Sequence, residues 1–197
     1  VLTDIRDAFQ IEPEDAIRTQ FYRSNLHLHS TIVSRADQYD TLLQRLRDRP
    51  RGSTLVYVTL QRTAEEIAER LTSDGFAATA YHAGMKSDER SRIQQEFIDS
   101  NDGIVVATIA FGMGIDKANI RYVYHFNPPK SLEAYAQEIG RAGRDGDPAT
   151  CEILLAPEDR TVLENFTYGD TPSRHGIGRF IEVVAGPMVR SSYRAEQ

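Results

Sequence analysis

Thr54-Leu55-Val56-Tyr57-Val58 is the stretch that decides the fold. After Thr54 no polar side chain interrupts it. A strand with one wet face alternates apolar and polar residues. This run does not, which fits a strand covered on both faces, the usual condition in a parallel sheet. Working outward, Tyr39, Leu42, Leu43 and Leu46 recur at helical spacing over 37–48, and Pro50 and Gly52 close that segment. On the other side, Ala64, Ile67, Ala68 and Leu71 form one apolar stripe on a helix over 63–71, ended by Gly75. A second strand is expected over 77–81. Ser87 is expected to cap a helix running to residue 97, with Asp88 and Glu89 in its first turn, where the helix dipole favours acids. Further strands are expected over 104–107, 121–126 and 150–155, and Ser131 opens a helix over 132–139. Alternating strands and helices imply crossover connections, hence an α/β fold with a mostly parallel central sheet flanked by helices.

The two ends are less regular. Residues 1–26 hold a helix end over 2–9, a polar turn at Glu12-Pro13-Glu14-Asp15 and an extended segment ending in Phe21-Tyr22-Arg23-Ser24-Asn25-Leu26. They read as a linker or the tail of a preceding domain. Residues 27–156 form the regular unit. Residues 157–197 read as a C-terminal helical extension, with helices over 158–166 and 177–184. His27 and His29 alternate with Leu26 and Leu28; without a third ligand nearby, exposed strand histidines are expected rather than a metal site. The single cysteine, Cys151, rules out an internal disulfide and a four-cysteine zinc site, and reads as a small buried hydrophobe in the last strand. No apolar run approaches a membrane span and no signal peptide opens the chain, which fits a reduced, cytoplasmic setting with no membrane partner. The first residue is Val1, so the chain is read as a piece cut from a longer protein. With 23 Lys+Arg against 29 Asp+Glu, the net charge is −6, so a nucleic-acid surface would be confined to one patch.

In parallel α/β sheets ligands bind beyond the carboxyl ends of strands. That rule selects Thr59-Leu60-Gln61-Arg62, His82-Ala83-Gly84-Met85 and Thr108-Ile109-Ala110-Phe111-Gly112-Met113-Gly114. A fourth stretch, Gln137-Glu138-Ile139-Gly140-Arg141-Ala142-Gly143-Arg144-Asp145-Gly146, sets two arginines three residues apart among three glycines. Arginine is a planar cation that grips phosphate with two hydrogen bonds, and glycine lets the backbone turn sharply and approach a ligand. Alone, the stretch fits a capped helix end with solvated arginines equally well. No Gly-x-x-x-x-Gly-Lys-Ser/Thr phosphate cradle and no acidic magnesium-holding run accompanies it. Such a chain can only reach a nucleotide from the far side, with cations placed where charge builds on a transferred phosphoryl group.

The Gln-x-x-Gly-Arg-x-Gly-Arg pattern at 137–144 resembles motif VI of superfamily 2 helicases, and 107–117 resembles their motif V. The Ala-Phe-Gly-Met-Gly-Ile form of the latter, with Tyr81-His82-Ala83-Gly84 upstream and Arg-Ala-Gly-Arg-Asp-Gly downstream, resembles the RecQ family of DNA helicases. The segment 21–26 looks like that family's junction between two motor domains, and the likeness runs over about 18–160. DEAD-box RNA helicases match less well, because their motif VI usually begins with His where this chain has Gln137.

The resemblance implies a second RecA-like motor domain, facing a first that carries the phosphate cradle. ATP would sit between them, with Mg2+ held mainly by that first domain. By motif position, Arg144 would be the arginine finger, Arg141 its assistant and Gln137 an orienting group. Asp116, with the Gly114 backbone, would approach the ribose side or couple the nucleotide to DNA; a turn cap is the plainer role for Asp116. Single-stranded or junction DNA would lie across Arg62, His82, Gly84, Met85, Thr108 and Lys117. Tyr81 and Phe111 suit base stacking or packing at the sheet edge, and Met113 a loop plug. The whole enzyme would step 3′ to 5′ along DNA, and this piece alone would not hydrolyse ATP. The zinc-binding segment that commonly follows in RecQ proteins finds no thiolates after Cys151. Competing expectations are a non-catalytic nucleic-acid- or partner-binding module on a motor-domain fold, and an RNA helicase motor domain.

Overall fold

The computed structural model describes residues 2–16, 23–112 and 115–159. Its sheet has six strands: β1 (Leu26–Ile32), β2 (Ser53–Tyr57), β3 (Ala78–Tyr81), β4 (Ile104–Ala107), β5 (Ile120–His125) and β6 (Ala149–Leu155). The spatial order is β1-β6-β5-β2-β4-β3 and every pairing is parallel. The fold is therefore α/β, and the sheet is wholly rather than mostly parallel among the described residues. Every residue of β2 is buried, as its unbroken apolar run requires. The strand numbering reverses around it: β4 lies on one side and β5 on the other.

The helices are α1 (Leu2–Phe9), α2 (Gln38–Asp48), α3 (Gln61–Ser73), α4 (Ser87–Asp99) and α5 (Leu132–Ile139), with one 3-10 turn at Pro13–Asp15. α3 begins two residues before the boundary read from the sequence. No side-chain cap marks its start at Leu60, so no residue type signals it. Ser131 does cap α5, its hydroxyl accepting from the Ala134 amide at 3.2 Å. The helices expected over 158–166 and 177–184 fall, from residue 160 on, outside the described residues. So does most of the expected C-terminal extension.

The core has two parts, one on each face of the sheet. On one face Leu42 and Leu46 of α2 and Ile67 and Leu71 of α3 meet Val56, Val106, Tyr124 and Leu154. On the other, Ile93 and Phe97 of α4 and Phe111 of the loop after β4 meet Leu55, Tyr57, Val105, Val123 and Cys151. Phe111 is 1% exposed and packs edge-on against Tyr81 at 4.6 Å and Phe97 at 5.5 Å. Packing, not stacking on a base, is thus the role of Tyr81 and Phe111. Cys151 is fully buried, and burial pushes its thiol up to about 12.

One buried amide ties the layers together. The Gln38 Nε2 donates to the carbonyls of Phe126 and Leu154 just past β5 and in β6, and its Oε1 accepts from Arg35 Nη1 at 2.9 Å. Three hydrogen bonds compensate an amide with no exposure. Among the described residues β1 forms one border of the sheet, pairs with β6 alone and leaves Leu28 54% and Ile32 81% exposed. His27 and His29 are exposed on this strand, and no group of three His, Cys, Asp or Glu among the described residues is placed to hold a metal.

Candidate active site

The arginine turn follows α5 and delivers the chain to β6. The Gly143 amide donates to the carbonyl of Ile120 at 2.9 Å and the Asp145 amide to that of Ala118 at 3.4 Å. The turn therefore sits beside the amino end of β5, not at the carboxyl ends of the strands. Arg121 Nη2 pairs with Asp145, a hydrogen bond that holds the Asp145 carboxyl below the usual carboxylate range and raises Arg121. Gly143 adopts φ +53°, and a Cβ there would stand 2.6 Å from the Asn25 Nδ2. Glycine is required at this position by backbone sign and by close approach together.

The two arginines meet different surroundings. Arg141 is half-buried and its Nη1 donates to the carbonyl of Gly112, in the loop after β4. The guanidinium lies so close that a Cβ on Gly112 would come within 2.3 Å of it. Beside it, the Tyr57 hydroxyl donates to the Phe111 carbonyl at 3.2 Å; burial raises that phenol and keeps it protonated. Arg141 thus fastens the loop, and its Nε is buried without a partner among the described residues. Arg144 is the more open of the two, its Nε donating to the Gly140 carbonyl at 3.4 Å. Its side chain is 40% exposed, with Nη1 3.4 Å from Asp116 Oδ1, and Asp116 is 95% exposed. Gln137 is exposed on α5. Gly114 and Met113 lie outside the described residues.

The second group of sequence candidates gathers elsewhere, at the carboxyl ends of β2, β3 and β4. Arg62 is exposed in the first turn of α3 and pairs with Glu66 at 2.6 Å. Gly84 is exposed; a Cβ there would meet Gln61 Oε1 at 2.5 Å. Met85 is half-buried and leans on the core. Thr108 is 8% exposed, its amide bonded to the Tyr81 carbonyl at 3.2 Å. It lines a cleft of about 240 Å³ with Tyr57, Thr59, Gln61, Asn127 and Glu138.

Two candidates are placed differently from what phosphate contact requires. Lys117 is 5% exposed, and its ammonium donates to the carbonyls of Ile98 at 2.9 Å and Ser100 at 2.6 Å, where α4 ends. Burial lowers its pKa. The cation satisfies carbonyls that a helix end leaves open, so it is not offered to a ligand. His82 is 6% exposed, its Nε2 lies 3.0 Å from Glu65, and its Nδ1 is buried without a partner among the described residues. It acts as a packed turn residue, its backbone carbonyl accepting from the Met85 amide.

Residue-by-residue reading missed three features. Arg23 donates to the carbonyls of Gly140 at 3.3 Å and Gly143, and Asn25 Nδ2 to those of Gly143 at 2.8 Å and Asp147 at 2.9 Å. His125 and Glu138 form a buried pair at 2.7 Å, with Tyr57 stacked on the imidazole. Thr59 donates its amide to Asn127 at 3.2 Å. The only sequence signal was the polar Arg-x-Asn spacing before β1, which says nothing of a partner so far along the chain.

The family described as helicase conserved C-terminal domain matches residues 37–146. The ATP-dependent DNA helicase RecQ of Haemophilus influenzae is 45% identical over 139 residues, 66% of this chain and 22% of that protein. The RecQ-like DNA helicase blm-1 of Caenorhabditis elegans is 35% identical over 191 residues, 94% of this chain and 19% of that protein. The chain thus spans about a fifth of the length of these curated relatives. Among solved structures, the C-terminal domain of the DEAD-box protein Dbp5 has a TM-score of 0.61 at 20% identity, over 74% of this chain and 86% of that one, a likeness of fold.

Proposed function

The chain belongs to the helicase conserved C-terminal domain family, in its RecQ branch, and from that premise we propose that it works as the second motor domain of an ATP-dependent DNA helicase that moves 3′ to 5′. The observation that carries this reading is Arg144. A 40% exposed guanidinium stands on a turn fixed by backbone hydrogen bonds, opposed only loosely by Asp116 at 3.4 Å. Such a cation can exchange a solvated carboxylate for a phosphate oxygen at small cost, because an exposed pair is worth little. ATP would supply the phosphoryl group, with its Mg2+ held mainly by a first motor domain. Arg144 then places positive charge where negative charge develops. Asp116 holds Arg144 until ligand arrives, and the exposed Gln137 amide orients the same ligand. Arg141 acts at one remove, by fastening the loop that leads to Asp116.

For DNA, the carboxyl ends of β2, β3 and β4 offer an exposed cation at Arg62, an open backbone at Gly84, the half-buried Met85 and the Thr108 hydroxyl in its cleft. These suit sequence-tolerant contact with sugar and phosphate. The acidic net charge of −6 agrees with a surface restricted to this patch.

The test is Arg144→Ala in the full-length protein. ATP turnover should fall by about 10³–10⁵ while ATP binding is retained, the scale for arginine fingers. Near-normal turnover would overturn the reading. Unwinding of matched DNA and RNA duplexes carrying 3′ or 5′ single-stranded tails tests substrate and direction: activity confined to 3′-tailed DNA is expected. Preference for RNA would favour an RNA motor, and no unwinding with intact nucleic-acid binding would favour a non-catalytic module.

A further inference from the structure

The carbonyls of the arginine turn are held by two side chains that lie more than a hundred residues earlier in the chain. Arg23 reaches Gly140 O and Gly143 O with its two terminal nitrogens, and Asn25 reaches Gly143 O and Asp147 O with one amide nitrogen. The Ala149 amide closes the arrangement on the Asn25 carbonyl at 2.9 Å. The planar fork holds its two carbonyls with two separate nitrogens in fixed relative geometry, which a compact lysine ammonium does not reproduce. The fit is mutual: Gly143 has no side chain where the Asn25 amide stands.

This clamp touches Arg144 through one shared atom. The Arg144 Nε donates to Gly140 O at 3.4 Å, the same oxygen that Arg23 Nη1 holds at 3.3 Å. Two guanidinium groups on one carbonyl repel each other, and Arg144, whose other contact is the exposed Asp116 at 3.4 Å, is the looser of the two. Arg23 is held by its second carbonyl, Gly143 O.

We propose that Arg23 and Asn25 are positioning residues for Arg144. They fix the carbonyls on which the finger is mounted and turn its guanidinium toward the ligand side. The proposal rests on the reading of Arg144 given above, and its test separates the two.

The measurement is steady-state ATP hydrolysis by the full-length, DNA-stimulated protein, with thermal denaturation alongside. Arg23→Ala removes the fork. Asn25→Asp keeps the shape but sets a carboxylate against two carbonyls, and serves if Arg23→Ala does not fold. Each should lower kcat on the order of 10²-fold, the effect of misplacing a reacting group by about 1 Å, with KM for ATP unchanged. Arg23→Lys should fall between Arg23→Ala and the parent. On an Arg144→Ala background the same changes should have no further effect on kcat, since a positioning residue has nothing left to position. Loss of the same factor on that background, or a lowered melting temperature with kcat intact, would make the clamp a fold contact only and overturn the proposal. Normal turnover in Arg144→Ala itself would instead remove the finger, and the clamp's catalytic role with it.

Discussion

Lys117 shows how a residue type can mislead when its surroundings are unseen. A lysine following a glycine-bearing loop after a strand reads as a phosphate contact. Here its long stem runs under α4, and its ammonium closes two carbonyls at that helix's end. Lys117→Met keeps the stem and removes the donors. The Ser100 carbonyl keeps the Ser53 hydroxyl at 3.1 Å, but that of Ile98 loses its lysine donor. The loss should cost about 1–3 kcal/mol, measured by urea denaturation, while DNA affinity stays at the parent value. A fall in affinity with stability unchanged would return Lys117 to the binding surface. Arg141 and Arg144 teach the complementary lesson. The repeat that places them three apart makes them look alike, yet one guanidinium is spent on Gly112 and the other stands open. Arg23 and Asn25 stand just before β1, and their target carbonyls belong to a turn that no local pattern connects to them.

At the scale of elements, the strands were legible because parallel strands covered on both faces must be continuously apolar, as Thr54 to Val58 and Ile104 to Ala107 are. Helix stripes were legible for the same reason: Leu42 and Leu46, or Ile67 and Leu71, bury one face each. The start of α3 was not, because nothing caps it. Nor was the position of the arginine turn, which depends on pairing with the amino end of β5. That anchoring carries its own pH dependence. Arg121 holds the Asp145 pKa below its unfolded value. The contact therefore stabilises the fold at pH values above the unfolded carboxylate pKa, and the contribution is lost as pH falls through the folded one. Asp145→Asn should flatten this part of the acid slope in denaturation curves taken from neutral pH downward, and leave the slope unchanged if the pair adds nothing.

Across the whole molecule, strand order divides the labour. The reversal around β2 opens a cleft at the carboxyl ends of β2, β4 and β5, and the arginine turn lies by the amino end of β5. The loop after β4 joins the two regions, carrying Thr108 in the cleft, Gly112 under Arg141 and Asp116 opposite Arg144. Within the proposed motor, that single loop is where nucleic-acid contact and nucleotide contact meet. Because the phosphate cradle belongs to another domain in this reading, the isolated chain is expected to release phosphate from ATP at the rate of buffer alone. A DNA-stimulated rate above that background would contradict the division.

The pairing of β1 with β6 also orders the chain in time. The first of the described strands finds its partner in the last of them, with Thr31 bonded to Glu152 across 121 residues. Closing so long a loop is entropically slow and rewarded only at the end, so contacts of this kind form late in folding. On a ribosome, β1 must wait until β6 has emerged. The same closure brings Asn25 to Gly143 and Arg23 to Gly140. The arginine turn is thus expected among the last parts to be assembled, and the finger proposed for Arg144 is mounted only when that closure is complete.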